Sequence, residues 1–208
     1  MYSLKVKNTS GAPANVAVYQ SYPNVVGGLP LVWLTETIPD GDNNTFLWNI
    51  DWAISWAETE TPLAPGLEWE SSGPITEMQP HSLAGPNAMT ITYASGEFST
   101  TNITENKIVP PGDILVKTDQ SFTVEEAAKM SIAIYMNKKP AFAFHGHPNG
   151  KTLFKTHPTY WLCTTAEKEG VAVSSMFVSS PKKVVFSPGL TSLSYELSEV
   201  LEFVQVKA

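Results

Sequence analysis

From Phe46 to Trp56 the chain alternates without interruption. Phe46, Trp48, Ile50, Trp52, Ile54 and Trp56 share one parity; Leu47, Asn49, Asp51, Ala53, Ser55 and Ala57 share the other. A helix would scatter the large side chains around its circumference, whereas a strand collects them on one face. The spacing therefore predicts one continuous strand over residues 46–56, about 36 Å long at ~3.3 Å per residue. Trp48, Trp52 and Trp56 should turn into a core. The opposite face is small and polar, and is expected either to meet solvent or to pack closely against another layer.

The same alternation recurs in short runs. Leu4-Lys5-Val6-Lys7-Asn8 reads as a first strand. The turn cluster that follows it leads to Asn15-Val16-Ala17-Val18-Tyr19-Gln20, its expected hairpin partner. Leu31-Val32-Trp33-Leu34 is unbroken and apolar, as in a strand covered on both faces. Further strands are expected at 67–70, 88–93, 97–100, 113–117, 131–136, 140–144, within 152–163, and at 171–173, 176–178 and 184–186. Residues 71–87 read as a long loop. Thr123-Val124-Glu125-Glu126 has the spacing of a capping box and predicts one short helix. Residues 190–206 fit a helical face and also alternate, and are taken as strand to match the rest. The 16 Pro and 13 Gly are spread along the chain, which suits many turns. The expectation is an all-β chain: an antiparallel β-sandwich with one short helix, forming a single domain over residues 1–208.

Charge narrows the partners. The formal net charge is −7, and all 13 basic residues are Lys. Arg supplies the planar fork used on phosphates, and nucleic-acid binders show basic patches. Neither nucleic acid nor membrane is expected as a partner. The one cysteine, Cys163, allows no intrachain disulfide, and no apolar run approaches the ~20 residues that span a bilayer. The residues after Met1 enter a strand pattern at once. The expected location is cytoplasmic, with export independent of a signal as the alternative.

Several segments carry a family likeness. Asn8-Thr9-Ser10, Asn15 to Gln20, the Trp48–Trp56 pattern, Leu63 to Gly66 and His157-Pro158-Thr159-Tyr160-Trp161 resemble the RhiA-like proteins, named for a rhizosphere-expressed bacterial protein. The likeness runs over roughly residues 4–163, and residues 164–208 read as an extension beyond the shorter members. It brings no catalytic motif to carry over. The pattern is also similar to pink chromoproteins of oyster-type mushrooms, which implies a small bound chromophore rather than an enzyme.

Five constellations could carry chemistry. His145 and His147, with His157 or His81, have strand spacing for a metal, but Gly146, Pro148, Asn149 and Gly150 make that segment a turn, and no metal is expected. Cys163 with His157 could form a nucleophile and base, against the commoner fate of a lone buried Cys as filler. Glu58, Glu60, Glu68 and Glu70 could supply paired carboxylates, against simple solvation. The six Trp could be core, sugar platform or pocket wall. Lys117 and Lys155 follow apolar runs; an amine held dry can form a Schiff base, while the bland reading is a stem that packs and a head that reaches water. The expected function is non-enzymatic: a small aromatic or conjugated ligand, such as an organic chromophore, held in an apolar pocket by Lys155, Tyr160, Met136, Trp52, Trp161 and His157. A carbohydrate-binding or self-associating module is the first alternative, compatible with a homodimer. A metal- or Cys-dependent hydrolase is the second.

Overall fold

A computed structural model describes residues 1–104, 109–174 and 178–206. Among these residues the strands are β1 (Tyr2–Asn8), β2 (Ala14–Ser21), β3 (Gly28–Pro30), β4 (Val32–Ile38), β5 (Asn43–Trp48), β6 (Trp52–Glu58), β7 (Thr76–Met78), β8 (Ala88–Ala94) and β9 (Glu97–Ile103). They continue with β10 (Asp113–Thr118), β11 (Met130–Met136), β12 (Lys139–His145), β13 (Lys151–Lys155), β14 (Thr159–Thr165), β15 (Val178–Val184), β16 (Ser192–Leu197) and β17 (Phe203–Val206). The one helix, α1 (Val124–Ala128), starts where the capping box placed it: Glu126 N–H donates to Thr123 Oγ1 at 3.2 Å, and Thr123 N–H donates to Glu126 Oε2 at 2.6 Å. The protein is all-β, as expected from its turns and alternation.

The strands form four sheets, ordered β17-β16-β1-β5, β13-β10-β8-β9, β3-β12-β11-β6-β7 and β15-β14-β2-β4. Most pairings are antiparallel, but β1–β16 and β8–β10 are parallel. The expected hairpin of the first two strands does not form. β1 pairs with β5 and β16, while β2 pairs with β4 and β14 in another sheet. The turn between them is a crossing between sheets, and local alternation cannot distinguish that from a hairpin. Residues 190–206 are strand, and β16 sits inside the first sheet beside β1, so the C-terminal stretch is structurally integral.

The Trp-rich pattern is not one continuous strand. It breaks at residues 49–51 because the chain changes sheet there, leaving β5 beside β1 and entering β6 beside β11. Such corners are made by strands that bend from one sheet into another. The hairpin tip at Asn137 and Lys138, both with left-handed φ (53° and 61°), braces the break. Asn137 N–H donates to Asp51 Oδ1, and Asn49 N–H donates to Asn137 Oδ1 at 3.4 Å. Parity survives the corner: Trp48, Trp52 and Trp56 all enter the main core. On the other face Ala53 and Ala57 are also buried, packing with Leu31, Leu63, Trp69 and Tyr135 in a second apolar layer. The central strand β11 is therefore buried along its whole length, with Met130, Ile132, Ile134 and Met136 on the inner side and Ala133 and Tyr135 on the outer.

Other local readings shift. Residues 67–70 and 171–173 contribute only isolated bridges, Glu68 to Val171 and Leu31 to Ala172. The loop expected at 71–87 contains the short edge strand β7. Of 176–178, Met176 and Phe177 lie outside the described residues. Gly73 lies directly on the Trp56 indole: a Cβ there would stand 2.3 Å from Nε1. Gly73→Ala is expected to lower the unfolding free energy by about 1–3 kcal/mol, as overpacking does; urea unfolding monitored by Trp fluorescence checks it.

A candidate ligand cleft beside Tyr160

Strand β14 sorts the His-Pro-x-Tyr-Trp segment by alternation. Tyr160 and Leu162 face the main core; Trp161 and Cys163 face the opposite way, into a smaller cluster with Tyr19 and Val32. The core side holds a buried polar chain. Tyr160 Oη–H donates to Met136 Sδ at 3.5 Å, Gln20 Nε2 donates to the same sulfur at 3.4 Å, and Tyr22 Oη–H donates to Gln20 Oε1 at 2.8 Å. Trp33 Nε1–H donates to Met136 O at 2.8 Å. Burial pushes the Tyr160 phenol up to about 12, against an opposing pull from the nearby Trp48 N–H. Burial also holds Tyr22 well above the usual phenol value, with Tyr160 adding to it. Both are neutral phenols at physiological pH.

Rings gather around Tyr160. Trp48 stacks on Tyr2, its cross-strand neighbour, at 5.8 Å and 11°. It also meets Tyr160 at 5.4 Å and Phe186 edge-on at 5.8 Å. Tyr2, Tyr160 and Phe186, together with Ile50, His157 and Lys183, line a cleft of about 290 Å³. A second cleft of about 420 Å³ opens on the far side of the corner, where Asp51, Trp52, Ala53, Met78, Tyr135 and Lys138 line it. The break in the aromatic pattern thus supplies a residue to each, Ile50 to one and Asp51 to the other.

The Nε1–H groups of Trp48, Trp52 and Trp56 are buried and have no hydrogen-bond partner among the described residues. Although the Trp48 N–H lies near enough to Tyr160 to influence its ionisation, the two do not meet hydrogen-bond geometry. The other indoles whose bonds are described are satisfied: Trp33 by Met136 O, Trp69 by Ser131 Oγ at 2.8 Å and Trp161 by Ser21 Oγ at 3.0 Å.

Of the residues expected at a ligand site, Tyr160 and Met136 come together, and His157 stands exposed on the rim of the cleft. Lys155 does not turn inward. It is exposed at the end of β13, so the dry surroundings a Schiff-base amine requires are absent there. Trp52 belongs to the inner layer and lines the second cleft instead. Trp161 lies on the opposite face of β14, stacked on Tyr19 at 6.1 Å. Sequence reasoning missed Tyr2, Ile50, Lys183 and Phe186 as wall residues, because nothing local says that both ends of the chain meet β14.

The remaining constellations stay apart. His145 and His147 border a small cleft with Thr118 and Phe144. No group of three or more His, Cys, Asp or Glu could hold a metal ion among the described residues. Cys163 is buried, and burial pushes its thiol up to about 12, which denies it the thiolate form at neutral pH. Glu68 pairs with Lys168 at 2.5 Å, and Glu58 and Glu60 flank an open depression with Lys129. No helix among the described residues is long and apolar enough to cross a membrane.

No solved structure matches the chain. Protein RhiA of Rhizobium leguminosarum bv. viciae is 25% identical over 202 residues, covering 95% of this chain and 83% of that protein. The RhiA family model matches residues 1–207, and so takes in the C-terminal strands as well as the aromatic corner. With that match across nearly its whole length, the chain belongs to the RhiA family.

Proposed function

We propose that this protein is a non-enzymatic binder that holds a small aromatic or conjugated molecule, such as a pigment chromophore, in the cleft beside Tyr160. The observation that carries the reading is the wall of rings: Tyr2, Tyr160 and Phe186 line the cleft, and the Trp48 indole, 1% exposed, packs directly behind them. Flat aromatic walls favour a flat partner. Size agrees: a cavity of about 150 Å³ accepts benzene, so about 290 Å³ has room for a small conjugated system.

The test is protein purified from its natural source. An ultraviolet–visible spectrum with a band beyond tryptophan absorbance, and a small molecule released on denaturation and seen by mass spectrometry, is the expected result. Recombinant Tyr2→Ala/Phe186→Ala protein, reconstituted with the released molecule, should bind it at least about tenfold more weakly, since each ring contributes on the order of 1 kcal/mol beyond its area. Native protein with neither band nor released molecule overturns the reading.

A further inference from the structure

The loop between β12 and β13 carries the chain's one Asn-Gly pair, Asn149–Gly150. The turn calls for both residues. Asn149 is exposed and has a left-handed φ of 52°, a conformation that Asn tolerates better than most side chains do. Gly150 lies against β10: a Cβ there would stand 2.9 Å from Thr118 Oγ1 and 3.0 Å from His147 O. The same pair is chemically labile, because glycine has no side chain to hinder attack by its backbone nitrogen on the Asn amide. Gly150 N, losing its proton, bonds to Asn149 Cγ. The side-chain nitrogen leaves with that proton as ammonia, and a succinimide ring remains. Water then opens the ring at either carbonyl. Opening at Cγ gives aspartate; opening at the main-chain carbonyl gives isoaspartate, whose backbone runs through the former side chain.

The fold holds that nitrogen back. Gly150 N–H donates to Thr118 Oγ1 at 2.7 Å, and Thr118, itself buried, passes its hydroxyl hydrogen to His147 O. On either side, Asn149 N–H donates to Asp119 O at 2.8 Å and Thr118 N–H donates to Gly150 O at 3.0 Å. Attack requires the Gly150 proton to be removed and the Asn149–Gly150 peptide to turn toward Cγ. Both break these bonds, so the reaction waits on local opening of the loop.

We propose that Asn149–Gly150 is a site of spontaneous deamidation guarded by the Thr118 hydroxyl, so that conversion records how often this loop opens. Aspartate adds negative charge to a chain already at −7. Isoaspartate lengthens the backbone, which takes Gly150 off Thr118 and loosens the start of β13, where Lys151 pairs with Lys117.

The test is incubation of the whole protein beside a blocked peptide of residues 147–151, in mildly alkaline buffer below the pH range in which the fold weakens. Peptide mapping by mass spectrometry follows loss of the Asn149 amide. The folded protein is expected to convert at least about tenfold more slowly than the peptide. Thr118→Val removes the hydroxyl and should convert at least about threefold faster than the parent, while Thr118→Ser keeps the hydroxyl and should stay within about twofold of it. Amide exchange at Gly150 should rise in Thr118→Val in step with conversion. Conversion of the parent at the peptide's rate overturns the proposal, and that comparison needs no variant. A Thr118→Val protein that stays folded by circular dichroism and converts no faster than the parent overturns it as well.

Discussion

Trp33→Phe is expected to lower the unfolding free energy by about 3 kcal/mol, and Trp48→Phe by about 1–2 kcal/mol less. The two indoles are a matched pair. They are 0% and 1% exposed, belong to the same core and meet edge-on at 5.4 Å. Each change removes a similar volume, so each leaves a similar cavity. They differ in the N–H. Trp33 donates to Met136 O at 2.8 Å, and Phe leaves that carbonyl short of a partner. Trp48 donates to nothing described, so Phe sheds an unpaired buried donor and recovers part of what the cavity costs. Urea unfolding of ligand-free protein, monitored by circular dichroism, measures both. Equal losses would mean that the Trp48 N–H is satisfied in solution.

The contrast between these residues also marks how far sequence reasoning reached. Alternation placed Trp48, Trp52 and Trp56 on one buried side, and that holds because parity is a local property of strands. It could not show the corner at 49–51, because a change of sheet leaves the parity of the side chains intact and announces itself only through what pairs on each side. The capping box at Thr123 was legible for the same local reason. The cleft was half legible. Tyr160 and Met136 meet through a sulfur hydrogen bond, yet Tyr2 and Phe186 reach Trp48 from distant parts of the chain. Lys155 shows the opposite error: an apolar run before it suggested burial, but its position at the end of β13 leaves it in water.

Raising the pH should unfold this protein over a defined window, and the cause lies in its buried phenols and buried thiol. Tyr160 and Cys163 are held near 12 by burial, and Tyr22 well above its ordinary value of 10.0. In the unfolded chain the thiol titrates near 9.0 and the phenols near 10.0. Below the thiol's unfolded value, all three groups are protonated in both states, and their contribution to stability is fully present. Above it the unfolded chain releases protons that the folded one keeps, so unfolding becomes steadily easier until the folded groups ionise too. The loss should begin near pH 9 and run to about pH 12, amounting to several kcal/mol at roughly 1.4 kcal/mol per unit of separation. Urea midpoints across that range, with tyrosinate absorbance recorded alongside, measure it. Cys163→Ala removes the earliest titrating group, so its decline should start near 10 rather than 9. Stability that stays level through the window, or phenols that all titrate at their ordinary value in the folded state, would show that Tyr22 and Tyr160 are open to water. The cleft would then lack the dry, neutral phenol wall on which its proposed ligand depends.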